Sequence, residues 1–325
     1  MQIKRADNSV IKKRKINFKT LQSYDDNKVK QAVNYLKEEI ANNFISHFDN
    51  ISYVLKQQKD RNINFSSYNK NTGCISDCKR LKKKLTKIGL KTYFVSCKAN
   101  GFSNPPGDAL VQEAHVFLLY PALKNEKVYF TIFDPGFRVT NVISFYDGQN
   151  SSEYSYLSQG IIKVNFIENN VTYPYELTVN KRLTYKHEVT DADIHWIFNP
   201  YYETLNINDY NEKLYHAMFS LKLMNYPNDL NKYICIRSKI LEKSIEIYTF
   251  YKCQTYSFEQ LLSFNPKELE NIFKKYFLQA GISIKELKKF TENIFLLIHN
   301  ANAYINCVID PKVIEEYRNG HKLNR

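Results

Sequence analysis

The spacing of apolar residues changes sharply close to residue 90 of this chain. Before that point, residues 25–55 and 75–88 repeat apolar side chains every three or four positions, as an amphipathic helix requires. After it, segments rich in β-branched and aromatic residues follow one another, as is typical of strands. Because the helices precede the strands instead of alternating with them, the pattern favours an α+β fold.

Strands are predicted at six places in the middle of the chain. These are residues 91–96, 114–120, 127–133, 160–166, 173–178 and 195–198. Turns rich in proline and glycine separate some of them, at residues 104–107 and 134–136. Gly89 stands at the end of the second helical segment, where a C-cap glycine is expected.

Helical spacing returns towards the C-terminus. The pattern predicts a helix over residues 209–223, a strand pair at 232–237 and 244–251, a helix over 266–279 and a last amphipathic stretch over 284–303.

The formal charge of the 325 residues is +13, and the excess is concentrated at residues 4–19 and 79–87. Such charge could attract nucleic acid, an anionic membrane surface or a phosphorylated cofactor. No nucleic-acid-binding motif accompanies it, so we prefer a solvated surface and expect no nucleic-acid partner.

The six cysteines are scattered, without metal-finger spacing, in a chain too large to need disulfide bonds. No apolar segment reaches the length of a signal-peptide core at the N-terminus, or of a membrane span elsewhere. We therefore expect a cytoplasmic, reduced protein without a bound metal, in which a thiol is available for chemistry.

Cys74 stands where a polar segment turns into the second helix, directly after Gly73. The unpaired N–H groups and the dipole of a helix N-terminus favour a thiolate. The N–H of Cys74 could also donate to an oxyanion. His115 lies in an apolar strand, and Asp134 ends the next one. Antiparallel neighbours can bring such an imidazole and carboxylate together, so we predict a Cys-His-Asp triad.

Each of these residues also has an ordinary structural interpretation. A helix-start cysteine is commonly a buried small side chain, a strand histidine commonly packs, and an aspartate before Pro-Gly forms a turn. Their joint order favours the catalytic interpretation. Among the alternatives, Cys78 lies one turn inside the helix, and neither His187 nor His195 is followed by a strand that ends in a comparable carboxylate.

The motifs around the three residues resemble those of arylamine N-acetyltransferases, within the papain and transglutaminase-like superfamily. Residues 70–74, Lys-Asn-Thr-Gly-Cys, stand where that family has Arg-Gly-Gly-X-Cys. Residues 114–119 are similar to its histidine strand, and 133–137, Phe-Asp-Pro-Gly-Phe, are similar to its Asp-Val-Gly-Phe-Gly. The likeness extends loosely from about residue 25 to residue 284.

The resemblance implies a helical bundle that bears the cysteine, an antiparallel β-barrel-like middle domain that bears the histidine and aspartate, and a C-terminal α/β lid. On this basis the chain divides into five parts. These are a flexible basic extension (1–20), a helical domain (21–93), a β domain (94–225), a lid (226–290) and a C-terminal helix and tail (291–325).

The resemblance further implies an acyltransferase that moves an acyl group from a thioester, through an acyl-enzyme at Cys74, to a small-molecule amine or hydrazine. Acetyl-CoA or another acyl-CoA would be the co-substrate, with no bound cofactor. Candidate contacts to it are Gly136, Phe137 and Arg138.

Two other functions stay open. The pair Asp134-Pro135, and the non-glycine residues Asn71 and Thr72, favour a transglutaminase-like peptidase, deamidase or amide transferase. A basic binding protein that has lost catalysis on the same scaffold is the third alternative. The sequence leaves the acyl donor, the acceptor and the oligomeric state undetermined.

Overall fold

A computed structural model describes residues 12–42, 44–57, 73–99, 115–136, 140–155, 160–185, 188–205, 220–225 and 229–308. The α-helices in these ranges are α1 (Asp26–Asn42), α2 (Ile51–Gln57), α3 (Gly73–Lys87), α4 (Phe258–Leu262), α5 (Pro266–Ala280), α6 (Ile284–His299) and α7 (Ala301–Val308). The strands are β1 (Lys13–Lys15), β2 (Gln22–Ser23), β3 (Ile45–Ser46), β4 (Tyr93–Ala99), β5 (His115–Lys124), β6 (Lys127–Phe133), β7 (Ile143–Tyr146), β8 (Ser151–Ser155), β9 (Gly160–Phe166), β10 (Tyr175–Tyr185), β11 (Glu188–Phe198), β12 (Tyr202–Thr204), β13 (Ser220–Met224), β14 (Ile234–Lys239), β15 (Ser244–Thr249) and β16 (Cys253–Ser257).

The largest sheet among the described residues is antiparallel along the order β7-β6-β5-β4-β11-β10-β9-β8. Its two terminal strands, β7 and β8, contact each other, so the sheet is nearly closed into a barrel. Strand β2 adds to it in parallel, beside β5. The fold therefore combines helices with a barrel-like sheet, as the α+β prediction required.

Strand β5 is buried on both faces, from His115 to Ala122. Phe117 and Leu119 point into the barrel interior, whereas Leu118 and Tyr120 point outwards against helices α1 and α3. Because side chains alternate along a strand, one strand thus contributes to two cores. This explains why its sequence is almost continuously apolar.

A second sheet, in the order β16-β15-β14-β13-β3, forms the C-terminal part of the described chain. One of its faces packs against α2 and the helices α4 to α7 in a third core. Helix α5 begins at a capping box formed by Asn265 and Glu268, and it ends at Gly281, whose φ of 69° is left-handed.

Several predicted elements are confirmed. Helix α3 matches the predicted residues 75–88, and Gly89 after it adopts a φ of 76°. The predicted strands of the middle region correspond to β4, β5, β6, β9, β10 and β11. The predicted strand pair near the C-terminus is the β14–β15 pair.

The helical pattern over residues 25–55 is not one helix. Strand β3 separates α1 from α2, because its backbone pairs with β13. Val29 and Leu36 of α1 pack on α3 and β5, whereas Phe48 and Ile51 belong to the C-terminal core. The apolar side chains keep a helical spacing even though they face two different cores.

The prediction of a helix over residues 209–223 is wrong at its C-terminal end, where residues 220–224 form strand β13. Leu221 and Leu223 are both buried, at a spacing that fits a strand as well as a helix turn. Residues 209–219 lie outside the described residues.

The extension predicted as flexible over residues 1–20 is structured in its second half. Strand β1 pairs with β12, and the buried Ile16 donates its N–H to the Tyr201 carbonyl. An apolar side chain within a basic segment accounts for this difference. The strands β7, β8 and β16 were not predicted from the sequence.

Candidate active site

Cys74 is the second residue of α3 and is only 7% exposed. It shares a helix face with Cys78, Leu81 and Leu85, which are buried in the same core. The Cys78 thiol donates to the Val116 carbonyl at 3.4 Å, which fixes the first turns of α3 beside the start of β5. Cys78, the competing thiol, is thus engaged in packing.

His115 is the first residue of β5, and Asp134 directly follows β6. The antiparallel register pairs Leu118 with Phe133, which brings the start of one strand to the end of the other. His115 Nε2 and Asp134 Oδ2 are 2.7 Å apart, and both side chains are buried. With the proton on Nε2 donated to the carboxylate, Nδ1 is an acceptor that can take a proton from a thiol.

The turn after Asp134 joins this pair to the helix. A Cβ atom added to Gly136 would lie 2.5 Å from Cys74 Cβ and 3.0 Å from His115 Cε1. Both side chains therefore lie within 3.0 Å of one point beside the turn. The fold brings together the three residues that the sequence predicted, and the space between them admits only a glycine.

The other predicted contacts are placed as follows. Gly136, predicted to contact an acyl donor, lies against Cys74 and His115. Phe137 and Arg138 lie outside the described residues, as does His187. His195 lies on β11 beside Thr178 and Glu176, with its Nδ1 3.4 Å from the hydroxyl and 3.5 Å from the carboxylate.

Trp196 is a neighbour of the site that the sequence did not reveal. Its ring centroid lies 5.4 Å from that of His115, with the two planes inclined by 43°. The residue falls within a segment predicted only as a strand. Its one signal in the sequence is that it is the sole tryptophan of the chain.

A buried ionic network lies between helix α3 and helix α1. Arg80 of α3 donates from Nε to Glu39 of α1 at 2.5 Å, and it also pairs with Asp77 one turn away. The exposed fractions of the two acidic side chains are 3% and 1%. The Asp77–Arg80 spacing was recognisable in the sequence as a helical pair, but Glu39 comes from another helix.

Burial also affects two groups close to this part of the fold. It lowers the pKa of Lys82 on α3, whose ammonium lies 4.3 Å from the centre of the Phe94 ring. It raises the pKa of Tyr120 on β5 to about 12. Both shifts arise because a low-dielectric environment disfavours the charged form.

Among the described residues, no group of three or more His, Cys, Asp or Glu side chains could hold a metal ion. In the same part of the chain, no helix has the length and apolar character needed to span a membrane.

The chain was compared with known proteins. No protein-family model matches it, and no curated protein matches it in sequence. Solved structures that it resembles include the arylamine N-acetyltransferase of M. smegmatis, with 9% identity, a TM-score of 0.49, and coverage of 82% of this chain and 90% of that one. The protein from Mycobacterium abscessus has 10% identity and a TM-score of 0.49, over 83% and 91% of the two chains.

The arylamine N-acetyltransferase of Mycobacterium marinum in complex with CoA is a further neighbour, with 10% identity, a TM-score of 0.47, and coverage of 82% and 92%.

Proposed function

We propose that this chain is an acyltransferase in which Cys74 is the nucleophile, His115 the general base and Asp134 the residue that orients the imidazole. The observation that carries the proposal is the position of Gly136, whose backbone lies against both Cys74 and His115. The 2.7 Å contact between His115 and Asp134 supplies the orienting partner.

The proposed reaction has two half-reactions. In the first, His115 Nδ1 takes the thiol proton, and the sulfur of Cys74 attacks the carbonyl carbon of an acyl thioester. The C–S bond of the donor then breaks, and His115 returns the proton to the departing thiolate. The N–H of Cys74, in the first turn of α3, is the candidate donor to the oxyanion.

In the second half-reaction an amine or hydrazine attacks the acyl-enzyme, and His115 takes its proton. The Cys74 thiolate leaves and is protonated again, so atoms and charge balance over the cycle. Acetyl-CoA or another acyl-CoA is the proposed donor. The net charge of +13 would help to attract its phosphates, and Arg138 is the proposed contact.

The test is the mass of the protein after incubation with short acyl-CoA thioesters, with the modified residue located by peptide mapping. We expect one acyl group on Cys74 and none in Cys74→Ala. Asp134→Asn should slow acylation by roughly 10²- to 10⁴-fold, because the imidazole loses its orienting carboxylate. Absence of an acyl-enzyme with every donor would rule out this proposal.

The second candidate function keeps the same three residues but uses an amide as the substrate. The Asp134-Pro135 pair, which resembles that of transglutaminase-like proteases and amidases, favours it. A parallel assay of glutamine and peptide substrates separates the two: ammonia or peptide release without acylation by thioesters supports the amide reaction. If neither reaction occurs, the third alternative, a binding protein without catalysis, gains support.

A further inference from the structure

The indole ring of Trp196 contacts the imidazole ring of His115, the candidate general base. Strand β4 lies between the two residues: Cys97 pairs with His115 on one side, and Ala99 pairs with Trp196 on the other. Trp196 is also paired with Leu177 of β10, so its backbone is held from both sides. The sheet register therefore holds the two backbones close to each other, and the ring centroids are 5.4 Å apart.

The chemistry of the site creates a need for such a neighbour. When His115 accepts a proton from Cys74, an imidazolium forms at a position that is only 4% exposed. Burial disfavours this cation. Asp134 compensates at Nε2, and an aromatic ring within about 6 Å of a cation attracts it through its quadrupole.

We infer that Trp196 is a positioning residue, which stabilises the protonated form of His115 and thereby raises the fraction of Cys74 present as thiolate. This inference rests on the proposed function, because it assumes proton transfer between Cys74 and His115. In this role Trp196 acts through the imidazole.

The first experiment measures the rate at which iodoacetamide alkylates Cys74, located by peptide mass because the chain has six cysteines. In the wild type, an ion pair gives substantial alkylation at about pH 6.5, where an ordinary thiol is almost fully protonated. We expect Trp196→Leu to slow this reaction roughly three- to tenfold at that pH. At about pH 10 the thiol ionises without help, so the two rates should agree.

Two variants serve as controls. Trp196→Phe keeps an aromatic ring beside His115 and should restore most of the rate at the lower pH. Tyr202→Leu makes a comparable aromatic deletion at an exposed position of β12, where Tyr202 is 38% exposed, and should leave the rate unchanged. A general loosening of the fold by Trp196→Leu would change the rate at both pH values.

The second experiment uses Trp196 itself as the probe, because its emission is the only tryptophan signal of the chain. A protonated imidazole in contact with indole quenches its fluorescence. We expect the emission to depend on pH in the wild type, because protonation of the imidazole places a quencher against the indole, and His115→Asn to remove that dependence.

The outcomes separate the inference from the proposed function. A His115-dependent alkylation rate that Trp196→Leu leaves unchanged would overturn the inference while the proposed function stands. If the wild type alkylates like an ordinary thiol and His115→Asn changes nothing, the proposed proton transfer fails. The inference assumes that transfer, so it then fails together with the proposed function.

Discussion

Residue 136 lies where the turn after β6 meets the first turn of α3. A methyl group there would come within 2.5 Å of Cys74 Cβ, a distance at which atoms must move apart. We therefore expect Gly136→Ala to displace Cys74 from His115 and to lower the Cys74 alkylation rate at neutral pH by at least about tenfold, since catalytic geometry tolerates little displacement.

Gly148→Ala is the matched control for this substitution. Gly148 has a φ of 75°, but an added Cβ would meet nothing within 4 Å. This variant should lose about 1 kcal/mol of unfolding free energy through backbone strain and keep the reactivity of Cys74. Equal reactivity in the two variants would show that the space at residue 136 is unimportant.

The sequence predicts a triad of Cys74, His115 and Asp134 because each stands at a recognisable position: a helix start, an apolar strand and a strand end. Trp196 could not be assigned to the site in this way. Its contact with His115 depends on two strand pairings, β4 with β5 and β4 with β11, and the partners are 81 positions apart in the numbering of the chain.

At the level of elements, the Arg80 network fixes α3 against α1. Removing Arg80 leaves the buried carboxylates of Glu39 and Asp77 without their shared cation. We expect Arg80→Met to cost about 3 kcal/mol of unfolding free energy, because removing one partner of a buried ion pair is strongly unfavourable. Urea denaturation measures this directly.

Lys84→Met is the comparison for that prediction. Lys84 lies 3.6 Å from Glu39 and from Glu38, and its side chain is 37% exposed. Lys84→Met removes a cation that is itself partly exposed and leaves Arg80 in place beside Glu39, so we expect a loss of less than about 1 kcal/mol. If both variants lost the same free energy, the burial of the Arg80 network would not be what stabilises the helix pair.

Helices and strands could be predicted from the sequence where a cap, a terminal glycine or a regular apolar spacing marks them. Helix α3, its glycine end at Gly89, and helix α5 with its Asn265 cap all carry such signals. Strand β3 was not predictable, since it comprises only two residues within a helical apolar pattern, and pairing with β13 is what makes it a strand. A strand of this length is decided by its partner.

At the level of the whole molecule, residues 44–57 connect the N-terminal part of the chain to the C-terminal core. Phe48 is fully buried there, with its ring 4.9 Å from that of Phe290. We expect Phe48→Ala to cost about 3–5 kcal/mol, and its loss of hydrogen-exchange protection to concentrate in α5 and α6.

The control for Phe48→Ala is a phenylalanine of similar burial in the barrel core. Phe145, on β7, is 3% exposed and packs against Phe130 and Tyr175. Phe145→Ala should lower protection in β5 and β6 instead. An identical exchange pattern in the two variants would mean that the cores unfold as one unit.

This packing bears on the predicted division into domains, which stays a prediction. Helix α2 lies within the predicted helical domain (21–93), and β13 within the predicted β domain (94–225), yet both pack in the C-terminal core. Domain bounds drawn along the sequence group a segment with its neighbours in the chain. In the folded protein, the segment belongs to the core in which its apolar side chains are buried.

The sequence by itself determined the α+β class, most of the helices and strands, and the three residues proposed to carry the chemistry. These follow from local properties: side-chain periodicity, caps and the residue types at element ends. Only the tertiary structure decided that Gly136 lies against Cys74 and His115, that Trp196 contacts the imidazole, and that Glu39 and Arg80 pair. Those contacts join residues far apart in the chain, so strand register and helix packing had to form before they existed.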